Sequence, residues 1–354
     1  MATGDVIETD AVIIGAGPVG LFQAFQLGLL ELRTHIVDAL PHPGGQPAEL
    51  YPDKPIYDIP AVPVCTGQEL TDALLQQVRP FAPSFHLGQT VSRVERQGND
   101  RFLLTTSQHT SLLTRTVFIA AGVGAFEPRR LKLEGLDGFE GSQLFFFPRS
   151  PEQETGRRVL VVGDTDSALR WALALVQQGG VDVTLMHRRD VFQAGSELET
   201  QMRALCAQRR MRLLIGQATA VESDAGRLST VNVLRAEGDT ERLDVDSVYV
   251  MQGLSPRLGA ITQWGLALER KQLVVDTETF STSEPGIFAV GDINTYPGKR
   301  KLIVCGFHEC VLAAYAAASR VASGKPVQLE YTTSSSRLHR LLGVAPVAPD
   351  NAGG

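Results

Sequence analysis

Two short apolar runs, each followed at once by a glycine-bearing turn, frame this chain. Ala11-Val12-Ile13-Ile14 precedes Gly15-Ala16-Gly17-Pro18-Val19-Gly20, and Val159-Leu160-Val161-Val162 precedes Gly163-Asp164-Thr165-Asp166-Ser167-Ala168. Aliphatic runs without polar alternation predict strands covered on both faces, as in a parallel sheet. Helical patterning follows each turn, from Val19 to about Leu30 and from about Ser167 to Gln178. Return strands are predicted at His35-Ile36-Val37-Asp38 and at Asp182-Val183-Thr184-Leu185-Met186, so each half reads as a βαβ unit. Further buried strands are predicted from Thr116 to Ala121, over Ser247-Val248-Tyr249-Val250, and at Ile287-Phe288-Ala289-Val290 before Gly291-Asp292. Residues 219–246 alternate and are polar. The stretch 128–156 is rich in Gly, Pro and charge and suits a hinge region, and the Pro/Ala/Gly-rich tail after Gly343 reads as mobile.

These elements predict an α/β chain of two Rossmann-like dinucleotide-binding domains, the second inserted in the first. Residues 1–126 and 255–354 would form one domain and 127–254 the other. A length of 354 residues accommodates both. Hydrophobic content of 43% and charged content of 20% are ordinary for a globular protein, and a net charge of -6 argues against a general nucleic-acid binder. Asp5, Glu8 and Asp10 stand where a secretory signal would be basic, and nothing approaches an apolar span of about 20 residues. The expectation is a cytoplasmic protein that does not engage a membrane. Cys65, Cys206, Cys305 and Cys310 form no C-x-x-C pair and read as inert core thiols. No Cys and His spacing suggests a metal site.

The first turn carries three glycines with separate tasks. One allows the tight turn, one lets backbone approach a pyrophosphate, and one lets helix pack on strand. The helix start then offers free N–H groups and a positive dipole end to phosphate. Asp38, at the end of the second strand, suits ribose hydroxyls and would repel a 2′-phosphate, so the first site wants FAD or NAD. The second turn differs. Its return strand ends in His187-Arg188-Arg189, and guanidinium groups there suit the 2′-phosphate of NADP(H); the plainer reading is a solvated basic strand end. Thr165 places a Cβ where phosphate meets bare backbone, and Asp164 adds negative charge. Both would weaken the site, although the Thr165 hydroxyl could also donate to phosphate.

Several segments resemble the bacterial thioredoxin-reductase-like ferredoxin–NADP⁺ reductases over nearly the whole chain. They are Gly44-Gly45-Gln46, Leu50-Tyr51-Pro52-Asp53-Lys54-Pro55-Ile56-Tyr57-Asp58-Ile59, Gly122-Val123-Gly124-Ala125-Phe126-Glu127-Pro128-Arg129, His187-Arg188-Arg189-Asp190, and Phe288-Ala289-Val290-Gly291-Asp292-Ile293. The segment around Tyr51 is the most specific, and the missing dithiol separates the chain from thioredoxin reductases. The resemblance implies a thioredoxin-reductase-like FAD/NAD(P)-binding fold and FAD contacts from Gly15, Gly17, Pro18, Gly20, Asp38, Gln46, Tyr51, Val91, Phe126 and Asp292. Tyr51 would stack on the flavin. In a homodimer, Thr333 and Ser334 would cover its other face. Gly163, Thr165, Asp166, Ser167, Arg188 and Arg189 would hold NADPH. Alone, Tyr51 reads also as a packed loop aromatic, Asp292 as a turn residue or helix cap, and the Thr/Ser run as a flexible tail or capping segment.

The implied activity is electron transfer between NADPH and ferredoxin or flavodoxin, by hydride transfer to flavin N5 and then single-electron steps, with no acid–base dyad. This chain departs from the family at Thr165 and at Gln193, where a further arginine is usual, and weaker NADPH binding is the expectation. The alternative is a flavoprotein that acts as a redox-responsive binding protein or uses another acceptor. An acidic ferredoxin would require a local basic patch. Arg129-Arg130-Lys132, Lys299-Arg300-Lys301 and Arg337-His339-Arg340 are candidates, each also readable as a solvated face. His308 and His339 read as surface or packing residues.

Overall fold

Each apolar run becomes the middle strand of a parallel sheet. The computed structural model describes residues 6–322 and 330–344, apart from the side chain of Phe126. The chain divides into two compact units, Met1–Phe126 with Pro256–Gly354, and Glu127–Ser255. From residue 345 on, the tail read as mobile lies outside the described residues.

Among the described residues, the first unit holds a five-stranded parallel sheet in the order Ile287–Ala289, Thr116–Ile119, Ala11–Ile14, Thr34–Val37, Ser84–His86. Ala11–Ile14 is buried along its whole length, which is why its residues do not alternate. Its two neighbours, Thr34–Val37 and Thr116–Ile119, both follow it in the chain but lie on opposite sides of it, so the strand order reverses there, the point at which such sheets take ligands beyond the carboxyl end. The helix Pro18–Leu29 starts at that end, with Pro18 in its first turn. It packs on the helices Gly67–Val78 and Ile303–Val321. A second sheet runs Ile7–Glu8, Ser111–Thr114, Phe102–Thr106, Val91–Arg96, antiparallel across its last three strands. The strand expected from Thr116 to Ala121 ends at Ile119, although the Ala120 N–H still donates to Ile14 O at 2.8 Å.

The second unit repeats the plan. Its sheet runs Leu144–Phe145, Ser247–Val250, Arg158–Val162, Asp182–His187, Arg212–Asp224, Arg227–Arg235, Thr240–Asp244. The first five strands are parallel and the last two antiparallel. The polar alternation of residues 219–246 is that antiparallel extension, with one face in solvent. Again the glycine turn follows the strand at which the order reverses.

Much of the stretch 128–156, expected as a hinge region, packs into the second unit. Leu136 and Leu144 are each 1% exposed, and Leu144–Phe145 is the edge strand of the large sheet. Gln143 ties the segment down: its Nε2 donates to Leu228 O and Asp246 O, and its Oε1 accepts the Leu228 N–H. The glycines of the segment shape turns rather than loosen the chain; Gly135, Gly141 and Gly156 all have φ near +79°. At its end, Glu154 is fully buried and accepts the Tyr249 hydroxyl at 2.7 Å, with Arg157 Nη1 at 3.6 Å. No helix among the described residues is long and apolar enough to cross a membrane.

Tyr249→Phe removes a donor from a carboxylate without solvent access. The expected cost is about 1–3 kcal/mol of unfolding free energy. A lower urea midpoint at unchanged slope checks it, and an unchanged midpoint would show that Glu154 does not rely on this bond.

Candidate dinucleotide sites

The first turn is built by close approach. A Cβ on Gly20 would lie 1.9 Å from Gly15 O, and one on Gly15 would lie 2.4 Å from Ala120 O. Helix and strand can meet at this distance only without side chains. Gly17 is different. It is the N-cap at φ -71°, ψ -179°, a conformation open to any residue, and a Cβ there would meet nothing nearer than Gly45 Cα at 3.8 Å. Its bare backbone is not explained by packing within the chain. Gly17 brings no side-chain cap, and the first helical turn holds no acid. Among the described residues no side chain caps this helix start, which fits a pyrophosphate on its N–H groups. A second glycine loop closes one side: Gly44 N–H donates to Ala16 O at 2.9 Å, and a Cβ on Gly45 would lie 2.8 Å from Gly17 Cα.

Asp38 stands beside this space. Its Oδ2 accepts the Ala16 N–H and its Oδ1 the Leu40 N–H at 2.8 Å. Burial pushes its carboxyl above the usual range, against the pull of those two backbone donors. Its backbone is held in turn by His86 O and Gln89 N–H. Gln46 lies on the short helix Gly45–Leu50, and Tyr51 caps that helix at its C-terminal end. Tyr51 is half-buried; burial and the nearby charge of Asp292 raise its hydroxyl pKa. Asp292 sits in the turn Gly291–Ile293, where a Cβ on Gly291 would lie 3.2 Å from Val19, in the first turn of the glycine-turn helix. Burial raises its pKa, and Lys299 and Lys301 oppose the rise. Gly15, Gly17, Pro18, Gly20, Asp38, Gln46, Tyr51 and Asp292 thus gather around one helix start. Val91 is buried in the core at the start of Val91–Arg96, two residues after Gln89. Phe126 lies in the strand Ala125–Pro128, and its side chain is outside the described residues. Thr333 and Ser334 are exposed, and Ser334 Oγ donates to Tyr331 O within its own turn.

The first unit also holds a buried polar cluster that the sequence reading missed. Glu309 is fully buried on the helix Ile303–Val321. Its Oε2 accepts the Gly291 N–H at 2.7 Å and Asn294 Nδ2 at 2.8 Å. Its Oε1 accepts the Tyr296 hydroxyl at 3.0 Å and pairs with Lys299 Nζ at 2.5 Å. Burial and the Glu309 charge push the Tyr296 hydroxyl up to about 12. One signal was readable: an acid among Gly306, Cys310, Ala313 and Ala317, which share the buried helix face. A second omission is the pair His35 Nδ1 and His86 Nε2, 2.8 Å apart, with both pKa values lowered by burial.

In the second unit, a Cβ on Gly163 would lie 2.3 Å from Met251 O, so this glycine too is required by packing. Thr165 is the N-cap of Asp166–Gln178 at φ -89°, ψ 164°, where a Cβ fits without strain. Its hydroxyl accepts the Ala168 N–H and donates to Met251 O at 3.2 Å. It therefore takes up one helix-start donor and leaves no proton directed at a phosphate. Asp164 does not face the turn alone: its Oδ2 is 3.6 Å from His187 Nε2, and its carbonyl accepts the Gln193 N–H. Asp166 Oδ1 accepts the Gly195 N–H at 2.7 Å, and Ser167 is exposed. Two hydrogen bonds thus lace the 188–195 loop to the glycine turn. Arg188 and Arg189 project from that loop, exposed and without an ion-pair partner among the described residues. Arg203, by contrast, is committed to Asp190 and Glu199.

The basic patches are smaller than the sequence suggested. Arg130 is held by Asp137 and Glu140, and Arg337 by Glu31 and the Gly28 carbonyl. Lys299 is buried and paired, because its charge is needed inside. Arg129 and Lys132, Arg300 and Lys301, and Arg340 remain. His308 is exposed and His339 half-buried. Cys65 and Cys310 are buried; Cys206 and Cys305 are only partly so.

Comparison with known proteins agrees with this geometry. A family profile described as pyridine nucleotide-disulphide oxidoreductase matches residues 9–318. A ferredoxin–NADP reductase of Polaromonas naphthalenivorans is 56% identical over 341 residues, covering 96% of this chain and 93% of that one. A protein of the same name from Albidiferax ferrireducens is 56% identical over 343 residues, with 96% and 97% covered. Among solved structures, Lactococcus lactis thioredoxin reductase aligns with a TM-score of 0.56 at 24% identity, over 89% of this chain and 99% of that one. Bacillithiol disulfide reductase from Staphylococcus aureus aligns with a TM-score of 0.59 at 17% identity, over 90% and 100%. These likenesses show a thioredoxin-reductase-like fold.

Gly17→Ala and Gly20→Ala separate ligand from packing. Gly20→Ala is expected to lower the melting temperature of the flavin-free protein sharply, since backbone must move. Gly17→Ala should leave that temperature within a degree or two while weakening dinucleotide binding about tenfold, the equivalent of about 1.4 kcal/mol. Differential scanning fluorimetry with cofactor titration checks both; equal effects of the two changes would sink the distinction.

Proposed function

The chain belongs to the ferredoxin–NADP reductase family within the pyridine nucleotide-disulphide oxidoreductases, and on that premise we propose how its two sites divide the work. It is an FAD-dependent oxidoreductase that moves electrons between NADPH and ferredoxin. The first unit binds FAD and the second NADPH. One contrast carries this assignment: a half-buried acid, Asp38, held by backbone N–H groups, follows the first glycine turn, whereas two exposed arginines without an ion-pair partner among the described residues, Arg188 and Arg189, follow the second. A carboxylate accepts from ribose hydroxyls, and paired guanidinium groups match a 2′-phosphate.

FAD held by these residues would supply the redox chemistry, as acceptor of hydride from NADPH and donor of single electrons to ferredoxin. The protein's own residues bind and orient. The helix start at Gly17 receives the pyrophosphate, Asp38 the ribose, and Asp292 the ribityl–phosphate portion. Tyr51, half-buried at the end of its short helix, supplies an aromatic face for the flavin. In the second unit, the laced loop holds Arg188 and Arg189 in register with the phosphate turn. Thr165 has already taken one donor of that turn and Gln193 offers no guanidinium, so this site binds NADPH less tightly than one with glycine and arginine there.

Flavodoxin as a further partner, a homodimer and a cytoplasmic location complete the reading. Support for the homodimer comes from the exposed C-terminal segment, where Tyr331 is 67% and Leu342 51% exposed; a second copy would cover them. In that dimer, Thr333 and Ser334 would lie against the partner's flavin. Arg300 and Lys301, exposed beside the Asp292 turn, suit an acidic electron-transfer partner. A binding protein without turnover is not favoured, since the relatives at this identity are named as reductases.

The purified protein is expected to be yellow, to lose its flavin absorbance with NADPH under anaerobic conditions, and to regain it with ferredoxin. Reduction by NADH but not NADPH would overturn the role given to the arginines. Replacing Arg188 and Arg189 by Ala should raise the KM for NADPH about tenfold or more, from about 1.5–3 kcal/mol per charge-assisted hydrogen bond, and leave that for NADH unchanged. Thr165→Gly with Gln193→Arg should lower the KM for NADPH severalfold in the same assay; an unchanged value would show that neither residue limits binding.

A further inference from the structure

We propose that Glu309 and Lys299 are a positioning pair for the flavin site, gripping the Gly291 backbone from both sides and so setting Asp292. The inference rests on the reading of the first unit as the FAD site. Glu309 accepts the Gly291 N–H, and Lys299 Nζ donates to the Gly291 carbonyl at 2.8 Å. The two ions are themselves paired, with the Lys299 side chain 7% and the Glu309 side chain 0% exposed. All the acceptor positions of the carboxylate, about four, are taken by Gly291, Asn294, Tyr296 and Lys299. Such saturation fixes the Glu309 carboxylate in place.

A buried ion pair is weak evidence of a stabilising role, because desolvation offsets most of the attraction. Position explains this one better. Gly291 has φ +81° and packs on Val19, in the first turn of the helix whose start receives the pyrophosphate. Gly306, on the same helix as Glu309, also sits against Val19: a Cβ there would lie 2.5 Å from its side chain. A shift of the Gly291 peptide groups would therefore move Asp292 relative to that helix start. Removing either partner leaves a unit charge beside the flavin site, and the two removals leave opposite signs.

The test uses full-length protein carrying Glu309→Gln, Lys299→Met or both, with FAD affinity measured by reconstitution of the flavin-free chain and flavin midpoint potential measured by redox titration at alkaline pH. Each single change should weaken FAD binding at least tenfold. The potential should rise in Glu309→Gln, where the unpaired cation favours the electron-rich reduced flavin, and fall in Lys299→Met. Each shift should reach a tenfold change in the oxidised-to-reduced ratio, about 30 mV for a two-electron couple. The double variant should return toward the wild-type potential while still binding FAD more weakly. Shifts of one common sign, or none, overturn the pair's role. Should a single variant fail to fold, the double variant decides: wild-type FAD affinity in it overturns the proposal, and tenfold weaker binding at unchanged melting temperature supports it. A wild-type chain that binds no FAD overturns the site reading and the pair with it, whereas flavin-loaded wild type with unmoved variants overturns the pair alone.

Discussion

The contact between Gly15 and Gly20 is the constraint on which the first unit depends. With only 1.9 Å between a hypothetical Gly20 Cβ and Gly15 O, the helix can lie this close to its strand only if Gly20 lacks a side chain, while Ala120 O leaves no room for one on Gly15. That closeness puts the helix start at the carboxyl end of the middle strand, where the order of strands reverses. It leaves Gly17 at a helix start with no side-chain cap and room for a Cβ against Gly45. The second unit obeys the same rule with other atoms: Gly163 has no room for a Cβ against Met251 O, and Ala168 takes the place of the third glycine. Packing glycines and a ligand glycine are thus separable by what surrounds them.

Charge is allocated with similar economy. Many arginines of the second unit are tied to acids: Arg130, Arg158, Arg203, Arg212 and Arg242 each have a carboxylate partner. Such exposed pairs contribute little to stability. Their effect here is to remove those arginines from competition for a phosphate, while Arg188 and Arg189 stay uncommitted on a loop fixed to the phosphate turn. In the first unit the opposite sign is placed by the same logic. Asp38 is half-buried beside the turn with its oxygens on backbone donors, and Asp292 keeps Lys301 nearby while Lys299 is answered by Glu309.

Two buried carboxylates, Glu154 and Glu309, show how differently such a group can be used. Glu154 has one close donor, Tyr249, and one oxygen without a hydrogen bond, so it behaves as a cross-tie between the segment before Arg158 and the sheet. Glu309 is saturated by donors that all lie in or beside one turn, and that turn carries a site residue.

The glycine turns, the strands that precede them, Asp38 and the arginine pair were legible because each depends on local rules: apolar runs, backbone freedom and a fixed spacing along one βαβ unit. The motif around Tyr51 was legible as resemblance. Other features depended on where distant segments meet. Thr165 looks like damage in one dimension, but in three its extended backbone accepts a Cβ and its hydroxyl caps the helix. Residues 128–156 look loose because glycine and charge are common to hinges and to tight turns, and only Gln143 bonding to Leu228 and Asp246 distinguishes the two. Lys299 looks like surface charge until Glu309, ten residues on, is found in the core beside it. The sequence by itself thus determined the elements, the two turns and the sign of charge after each. Tertiary structure alone decided which charges are free, since pairing depends on distances that no spacing along the chain specifies.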